Sequence, residues 1–152
     1  MTGTDLGPAS GPSTILELYP RLVVDGADAA LAFYAHAFGA HTVERFTDQD
    51  GRVVHAMAAA GPARFAVKDA DGYDPAPREG GVPVILALYL DDPDAVAARM
   101  VDGGATVVFP VADQPYGERG GRLRDPFGHL WMLARRTVDL GADEIQERST
   151  AM

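Results

Sequence analysis

The chain has 152 residues, 47% of them hydrophobic, which is enough to bury one compact core. The formal net charge of -9 is spread along the sequence, and the chain has no cluster of basic residues of the kind that binds nucleic acid by counterion release. Because the sequence contains no cysteine, disulfides, thiolate metal ligands and cysteine nucleophiles are excluded.

The opening residues, MTGTDLGPASGPST, contain neither a basic leader nor an apolar stretch. No part of the sequence approaches the roughly 20 apolar residues that a membrane-spanning helix needs. We therefore expect a cytoplasmic protein with no membrane partner and no nucleic-acid partner, beginning with a flexible segment over residues 1–14.

Two long stretches of the sequence resemble each other. LVVDGADAALAFYAHAFGAHTV begins at Leu22, and LYLDDPDAVAARMVDGGATVV begins at Leu88. Further on, GRVV from Gly51 matches GRLR from Gly121. The period of about 66 residues is long for a solenoid repeat and indicates a duplicated supersecondary unit.

The first copy, residues 15–69, begins with the apolar run LELYPRLVV, which is typical of a strand. A helix is predicted next, with Asp25 as its N-cap, apolar residues at helical spacing from Ala27 to Phe38, and Gly39 as its end. Three shorter strands are predicted in HTVERFT, GRVVHAMAAA and ARFAVKD.

Residues 70–81, ADGYDPAPREGG, are rich in Gly and Pro and are predicted to link the two copies. The second copy, residues 82–137, repeats the order of the first. It contains a strand in VPVILALYL, a helix capped by Asp92 with Pro93 in its first turn, and strands in ATVVFP, GRLRD and HLWMLARR. Residues 138–152 are predicted to form an acidic tail.

Four phrases in this order resemble the vicinal oxygen chelate superfamily, which includes glyoxalases, bleomycin-resistance proteins and dioxygenases, and in particular its PhnB-like branch. They are VVDGADAALAFYAHAFGA, GRVVHA, LYLDDPDAVAARMVDGGATVV and DQPYGERGGRLRDPFGHLW. The resemblance implies an α+β fold in which two tandem βαβββ modules form cupped mixed sheets in a single domain, residues 15–137. It also implies a homodimer and a concave pocket for a small-molecule ligand.

Enzymes of this superfamily hold a divalent metal on strand residues that face the cup. The resemblance places three of these ligand positions at Tyr19, at Ile85 or Leu86, and at Met132. Aliphatic and thioether side chains do not suit a catalytic divalent ion, which needs about three N or O donors. We therefore expect no cofactor, and a divalent metal remains the alternative, with Tyr19 and His55 as its candidate ligands.

Several side chains are candidates for contact with a small-molecule ligand. His55 is predicted to be a core-edge histidine bonded to the backbone, in preference to a ligand-facing acid, base or metal ligand. Arg122 could bind a carboxylate or phosphate, although pairing with Glu118 or Asp125 on a solvated face is the more common role. Aromatic residues of the second copy could line the cup or equally belong to the core: Tyr89, Phe109, Tyr116 and Trp131.

Two functions fit these observations, and no catalytic residue is predicted. The first is a non-catalytic protein that binds or sequesters a drug or metabolite, and the missing metal ligands favour it. The alternative is a metal-dependent lyase, isomerase, dioxygenase or thiol transferase, with His55 and either Tyr19 or Glu17 as rearranged ligands. A partner protein contacted through the segment ADEIQER is a third option, which rests on the acidic tail alone.

Overall fold

The computed structural model describes residues 17–81 and 84–150. The predicted flexible segment 1–14, the first two residues of each copy and the last two residues of the tail lie outside these ranges. The elements of the described chain are β1 (Arg21–Val24), α1 (Ala27–Phe38), β2 (His41–Thr47), β3 (Val53–Ala60), β4 (Ala63–Asp69), β5 (Ile85–Tyr89), α2 (Pro93–Asp102), β6 (Thr106–Gln114), β7 (Glu118–Arg124), β8 (Leu130–Arg136) and α3 (Ala142–Thr150).

The chain forms two four-stranded mixed sheets, one for each copy of the repeat. Module 1, from β1 to β4, has the strand order β1-β4-β3-β2, and module 2, from β5 to β8, has the order β5-β8-β7-β6. In each module the first and last strands are parallel and the other pairs are antiparallel. The predicted α+β fold of two tandem βαβββ modules is therefore confirmed.

The two main helices end largely as the sequence predicts. In α2, the Asp92 side chain accepts a hydrogen bond from the backbone N–H of Ala95 at 3.1 Å, and Pro93 lies in the first turn. Gly39 ends α1 in the left-handed conformation, with φ of 69°, where a residue without Cβ is favoured. These local signals are readable because the cap and the helix it ends are neighbours in sequence.

The N-terminus of α1 differs from the prediction. Gly26 occupies the N-cap position with no side-chain cap, so the expectation that Asp25 caps this helix is wrong. Asp69, at the end of β4, accepts instead from the backbone N–H of Ala27 at 2.7 Å and from that of Val53 at 2.8 Å. A carboxylate there satisfies an otherwise unpaired donor and faces the positive end of the helix dipole. Helix α1 is thus capped by a side chain from the sheet of its own module.

Three strand boundaries also differ from the prediction. β1 begins only after Pro20, because proline has no N–H to donate to a sheet. β6 and β7 are longer than predicted and meet in a tight turn at 115–117, where Gly117 has φ of 82°. Because the residues around this turn are polar, a pattern based on hydrophobicity does not mark these ends of the two strands.

The modules pack through their helices into one shared core. Module 1 contributes Phe33 and Tyr34 of α1, and module 2 contributes Met100 of α2 together with Leu133 and Trp131 of β8. Each helix covers one face of its sheet, so the other face of each sheet has no covering layer among the described elements.

The predicted acidic tail contains α3, which buries no residue. In the part of the chain described, no helix is long and apolar enough to cross a membrane.

A buried carboxylate, that of Asp125, joins the two modules. One of its oxygens accepts hydrogen bonds from the Tyr34 hydroxyl at 2.7 Å and from the Trp131 indole at 2.8 Å. The other accepts from the backbone N–H groups of Phe127 at 2.9 Å and His129 at 3.0 Å. Burial and the adjacent carboxylate raise the pKa of the Tyr34 hydroxyl far above its ordinary value. The tyrosine therefore remains a donor at any pH at which the protein is folded.

We expect Asp125→Asn to lower the free energy of unfolding by about 2–4 kcal/mol, because the amide presents an NH2 group to donors that need an acceptor. Urea denaturation followed by tryptophan fluorescence measures this change. The matched control is Asp139→Asn at an exposed position, where we expect a change within about 0.5 kcal/mol. Equal stabilities of the two variants would contradict the role assigned to Asp125.

Candidate ligand cavity

The open face of the module 2 sheet holds a cavity of about 350 Å³. This volume lies at the lower end of the range of roughly 300–1,000 Å³ that is usual for small-molecule pockets. The strands β6, β7 and β8 and the turn between β6 and β7 provide its walls. They contribute the side chains of Phe109, Gln114, Tyr116, Glu118, Arg122 and Met132.

Strand register brings the central side chains of the cavity into one row. Phe109 of β6 pairs with Arg122 of β7, and Arg122 pairs with Met132 of β8. Because neighbouring residues in register point to the same face of a sheet, these three side chains lie side by side. In the next row along the strands, Gly120 pairs with Ala112 and Ala134, whose small size leaves the depression, and Tyr89 of β5 ends the row.

Two consecutive glycines allow the strands to approach closely at the cavity. A Cβ at Gly120 would lie 2.9 Å from the carbonyl oxygen of Leu133. A Cβ at Gly121 would lie 2.7 Å from the carbonyl oxygen of Phe109, where β6 departs from regular register. Side chains at these positions would push the neighbouring strands β8 and β6 away, so the glycine pair is needed for the cavity to keep its shape.

Arg122 is the one cavity residue with an unsatisfied polar group. Its Nε is buried and has no hydrogen-bond partner within the described chain. The guanidinium carbon lies 5.6 Å from the centroid of the Phe109 ring, which is a cation–π contact. The ion pair with Glu118 or Asp125 that the sequence favoured does not form.

The rim of the cavity is closed by a different set of contacts. The Tyr89 hydroxyl donates to Glu118 at 2.7 Å, and the guanidinium of Arg136 stacks over the Tyr89 ring at 4.9 Å from its centroid. The hydrogen bond to Glu118, with some desolvation, raises the pKa of Tyr89. Glu118 is therefore engaged at the rim, which leaves Arg122 as the unpaired charge inside.

The predicted ligand contacts fall into three groups. Phe109, Tyr116 and Arg122 line the cavity, and Tyr89 lies at its rim. Trp131 points to the opposite face of the sheet, where it is 2% exposed and donates to Asp125, so it belongs to the core and not to the cavity. Gln114 and Glu118 also line the cavity and were not predicted as ligand contacts, although their position on either side of the Pro-Tyr-Gly turn is a usable signal for a hairpin end.

His55 lies on the open face of module 1, away from the other candidates. Its Nδ1 is 3.0 Å from a guanidinium nitrogen of Arg21, and its Nε2 is 3.1 Å from Glu44. Because arginine only donates, Nδ1 is the acceptor and the ring proton lies on Nε2, facing Glu44. The ring stacks on Phe46 at 6.0 Å. His55 is therefore held by side chains, and the backbone hydrogen bond predicted for it is not formed.

The residues at the superfamily's metal positions do not fit a divalent ion. Ile85 and Met132 lie on the open face of module 2 and carry no N or O donor, and Tyr19 precedes β1. His55 and Glu44 together supply only two donors. Across residues 17–81 and 84–150, no group of three His, Asp or Glu residues is close enough to hold a metal.

A larger cavity, of about 550 Å³, lies between β1, β5 and the linker. Prolines and aliphatic side chains dominate its lining, and its one charged side chain, Arg21, is already bonded to His55 and to the carbonyl of Val54. Its other polar side chain, His129, has Nε2 2.9 Å from the carbonyl oxygen of Val23, so among the described residues this cavity holds no buried polar atom without a partner. The smaller cavity on module 2 does hold such an atom, the Nε of Arg122, and we take that cavity as the candidate site.

The order of the elements and the geometry of the open sheets agree with a known family. The profile of the Glyoxalase/Bleomycin resistance protein/Dioxygenase superfamily matches residues 16–133. The chain belongs to this superfamily. The positions that the resemblance assigned to metal ligands carry Ile85 and Met132 on the open face of module 2.

Several known proteins are similar to most of the chain. An uncharacterised protein of Mycobacterium bovis is 38% identical over 135 residues, which is 85% of this chain and 89% of that protein. The structure of an Arabidopsis thaliana gene product is 28% identical, with a TM-score of 0.64 over 80% of this chain and 99% of that chain. The PhnB protein of Bacillus cereus, at 18% identity, shares the fold with a TM-score of 0.60 over 78% of this chain and 98% of its own.

We expect Arg122→Met to leave the free energy of unfolding unchanged or to raise it by up to about 1 kcal/mol, because it removes a buried donor without an acceptor. Urea denaturation without added ligand measures this. Arg119→Met on the same strand is the matched variant. Arg119 makes two 2.8 Å bonds to Asp94, so we expect its removal to lower the free energy of unfolding slightly. A larger loss for Arg122→Met than for Arg119→Met would show that Arg122 has a structural role.

Proposed function

We propose that the protein binds a small organic molecule in the cavity of module 2 and sequesters it without a metal ion. The observation that carries this proposal is the cavity itself, which combines an apolar lining, an exposed aromatic ring and one unpaired arginine. A few polar groups in an otherwise apolar concave surface are typical of small-molecule sites. The superfamily's metal positions support it further, since Ile85 and Met132 extend the apolar surface.

We further propose that the protein acts as a homodimer, with a second copy covering the open sheet faces. Large apolar side chains on these faces are exposed, including Phe46 at 55%, Tyr89 at 53% and Phe109 at 58%. Contiguous apolar patches of this kind on a soluble chain are usually interaction surfaces. A partner sheet above the cavity would also exclude water from a bound ligand. A location in the cytoplasm stays a prediction.

Binding of a neutral bicyclic probe, 2-naphthol, tests the cavity by isothermal titration calorimetry. We expect saturable binding to the full chain that Phe109→Ala weakens by about tenfold, since that change removes a stacking surface worth roughly 1–3 kcal/mol. The control is Tyr73→Ala, at a linker position that is 95% exposed and that should leave the affinity unchanged.

Two results would contradict the proposed function. One is the absence of saturable binding of any aromatic probe. The other is about one equivalent of Zn, Ni, Mn or Fe per two chains in protein purified without chelator, because a dedicated metal site retains its ion. That second result would favour the metal-dependent enzyme of the superfamily.

The dimer has its own test in multi-angle light scattering at micromolar concentration. The expected mass is twice the 16.1 kDa of one chain. Phe46→Glu is expected to shift the equilibrium towards the monomer, because it places a charge on the exposed apolar face. The control is Tyr73→Glu, which adds the same charge on the linker and should leave the mass unchanged. A monomeric wild-type protein would contradict the proposed assembly.

A further inference from the structure

We infer that the cavity of module 2 selects ligands that carry a carboxylate on an aromatic or apolar body, and that Arg122 recognises the carboxylate. This inference rests on the proposed function, because it names the class of molecule that the same cavity accepts. It starts from an imbalance of charge. The chain has 22 acidic residues, yet Arg122 is paired with none of those described.

The nearest acidic residues along the strand are unable to neutralise Arg122. Glu118 lies four residues earlier on the same face, which at the rise of a strand is about 13 Å between Cα atoms. Its carboxylate also accepts the Tyr89 hydroxyl. Asp125 is buried in the core, where four donors surround it. The described chain thus supplies no acceptor to the Nε of Arg122, and a ligand in the cavity can supply one.

The surroundings of Arg122 favour a ligand acceptor with a particular shape. Phe109 and Met132 flank it in the row across the sheet, so the guanidinium lies between an aromatic ring and a thioether. A guanidinium offers parallel N–H donors that match the two oxygens of a carboxylate. The low row of Gly120 and Ala134 beside it leaves space for the apolar body attached to that carboxylate.

The charges at the rim support the same class of ligand. Arg136 lies over Tyr89, while Glu118 is the one acidic side chain that lines the cavity. The cavity and its rim thus carry two arginines against one glutamate, although the whole chain has a net charge of -9. A local excess of positive charge on an acidic protein attracts an anionic ligand to this face in preference to the rest of the surface.

Matched ligands that differ only in charge test the inference. Naphthalene-2-carboxylate and its neutral counterpart naphthalene-2-carboxamide are titrated calorimetrically into the wild-type full chain and into Arg122→Gln, Arg122→Lys and Arg135→Gln. The last variant removes the same charge from the opposite face of the sheet, where Arg135 pairs in register with Arg119. Thermal unfolding of each variant confirms that it is folded.

We expect the wild-type protein to bind the carboxylate at least about tenfold more tightly than the carboxamide, as for a charge-assisted hydrogen bond in a desolvated site. Arg122→Gln should reduce this ratio to about one. Arg122→Lys should give an intermediate ratio, because lysine keeps the charge but lacks the parallel N–H donors of a guanidinium. Arg135→Gln should keep the wild-type ratio.

The outcomes separate this inference from the proposed function. Equal affinities of the two naphthalene compounds for the wild-type protein, or a carboxylate preference that survives in Arg122→Gln, would overturn the role of Arg122 and leave the cavity as a site for neutral ligands. If neither compound binds and 2-naphthol does not bind either, the proposed function fails together with the inference.

Discussion

The carboxylate of Asp125 determines how the two halves of this protein fit together. It accepts hydrogen bonds from a helix of module 1, from the indole on a strand of module 2 and from the turn that precedes this strand. A buried carboxylate is tolerated only when its oxygens are fully hydrogen-bonded, so this set of donors has to assemble as a whole. Once it does, both helices and the sheet faces that they cover share one core, and the other face of each sheet has no covering layer among the described elements.

The site follows from that arrangement. Because Trp131 is drawn into the core, its neighbours Leu130 and Met132 point to the open face, and Met132 becomes part of the cavity floor beside Arg122. The side chains of Ile85 and Met132, at positions where the resemblance led us to expect metal ligands, make this face apolar. The same scaffold thus presents a surface suited to the body of an organic molecule, with one arginine to orient it.

The proposed role of Arg122 in ligand binding differs from the roles of the residues that stabilise the fold. The buried Nε of Arg122 has no hydrogen-bond partner among the described residues, and an apolar residue would fill the same space without an unpaired donor. Residues that hold the fold, such as Arg119 with its two bonds to Asp94, find their partners within the chain. An unpaired polar group in a cavity is consistent with selection for binding at some expense of stability.

Local patterns were sufficient for the repeat, the Asp92 cap with Pro93, and most strand positions, because these depend on residues close together in sequence. They did not reveal that Asp69 caps α1, because the two are 42 residues apart. Alternation along β8 separated its two faces without showing which one packs on the helices, so Trp131 remained a candidate for the cup as well as for the core. The missing partner of Arg122 was likewise decided by tertiary structure, because a side chain is unpaired only in relation to everything that surrounds it.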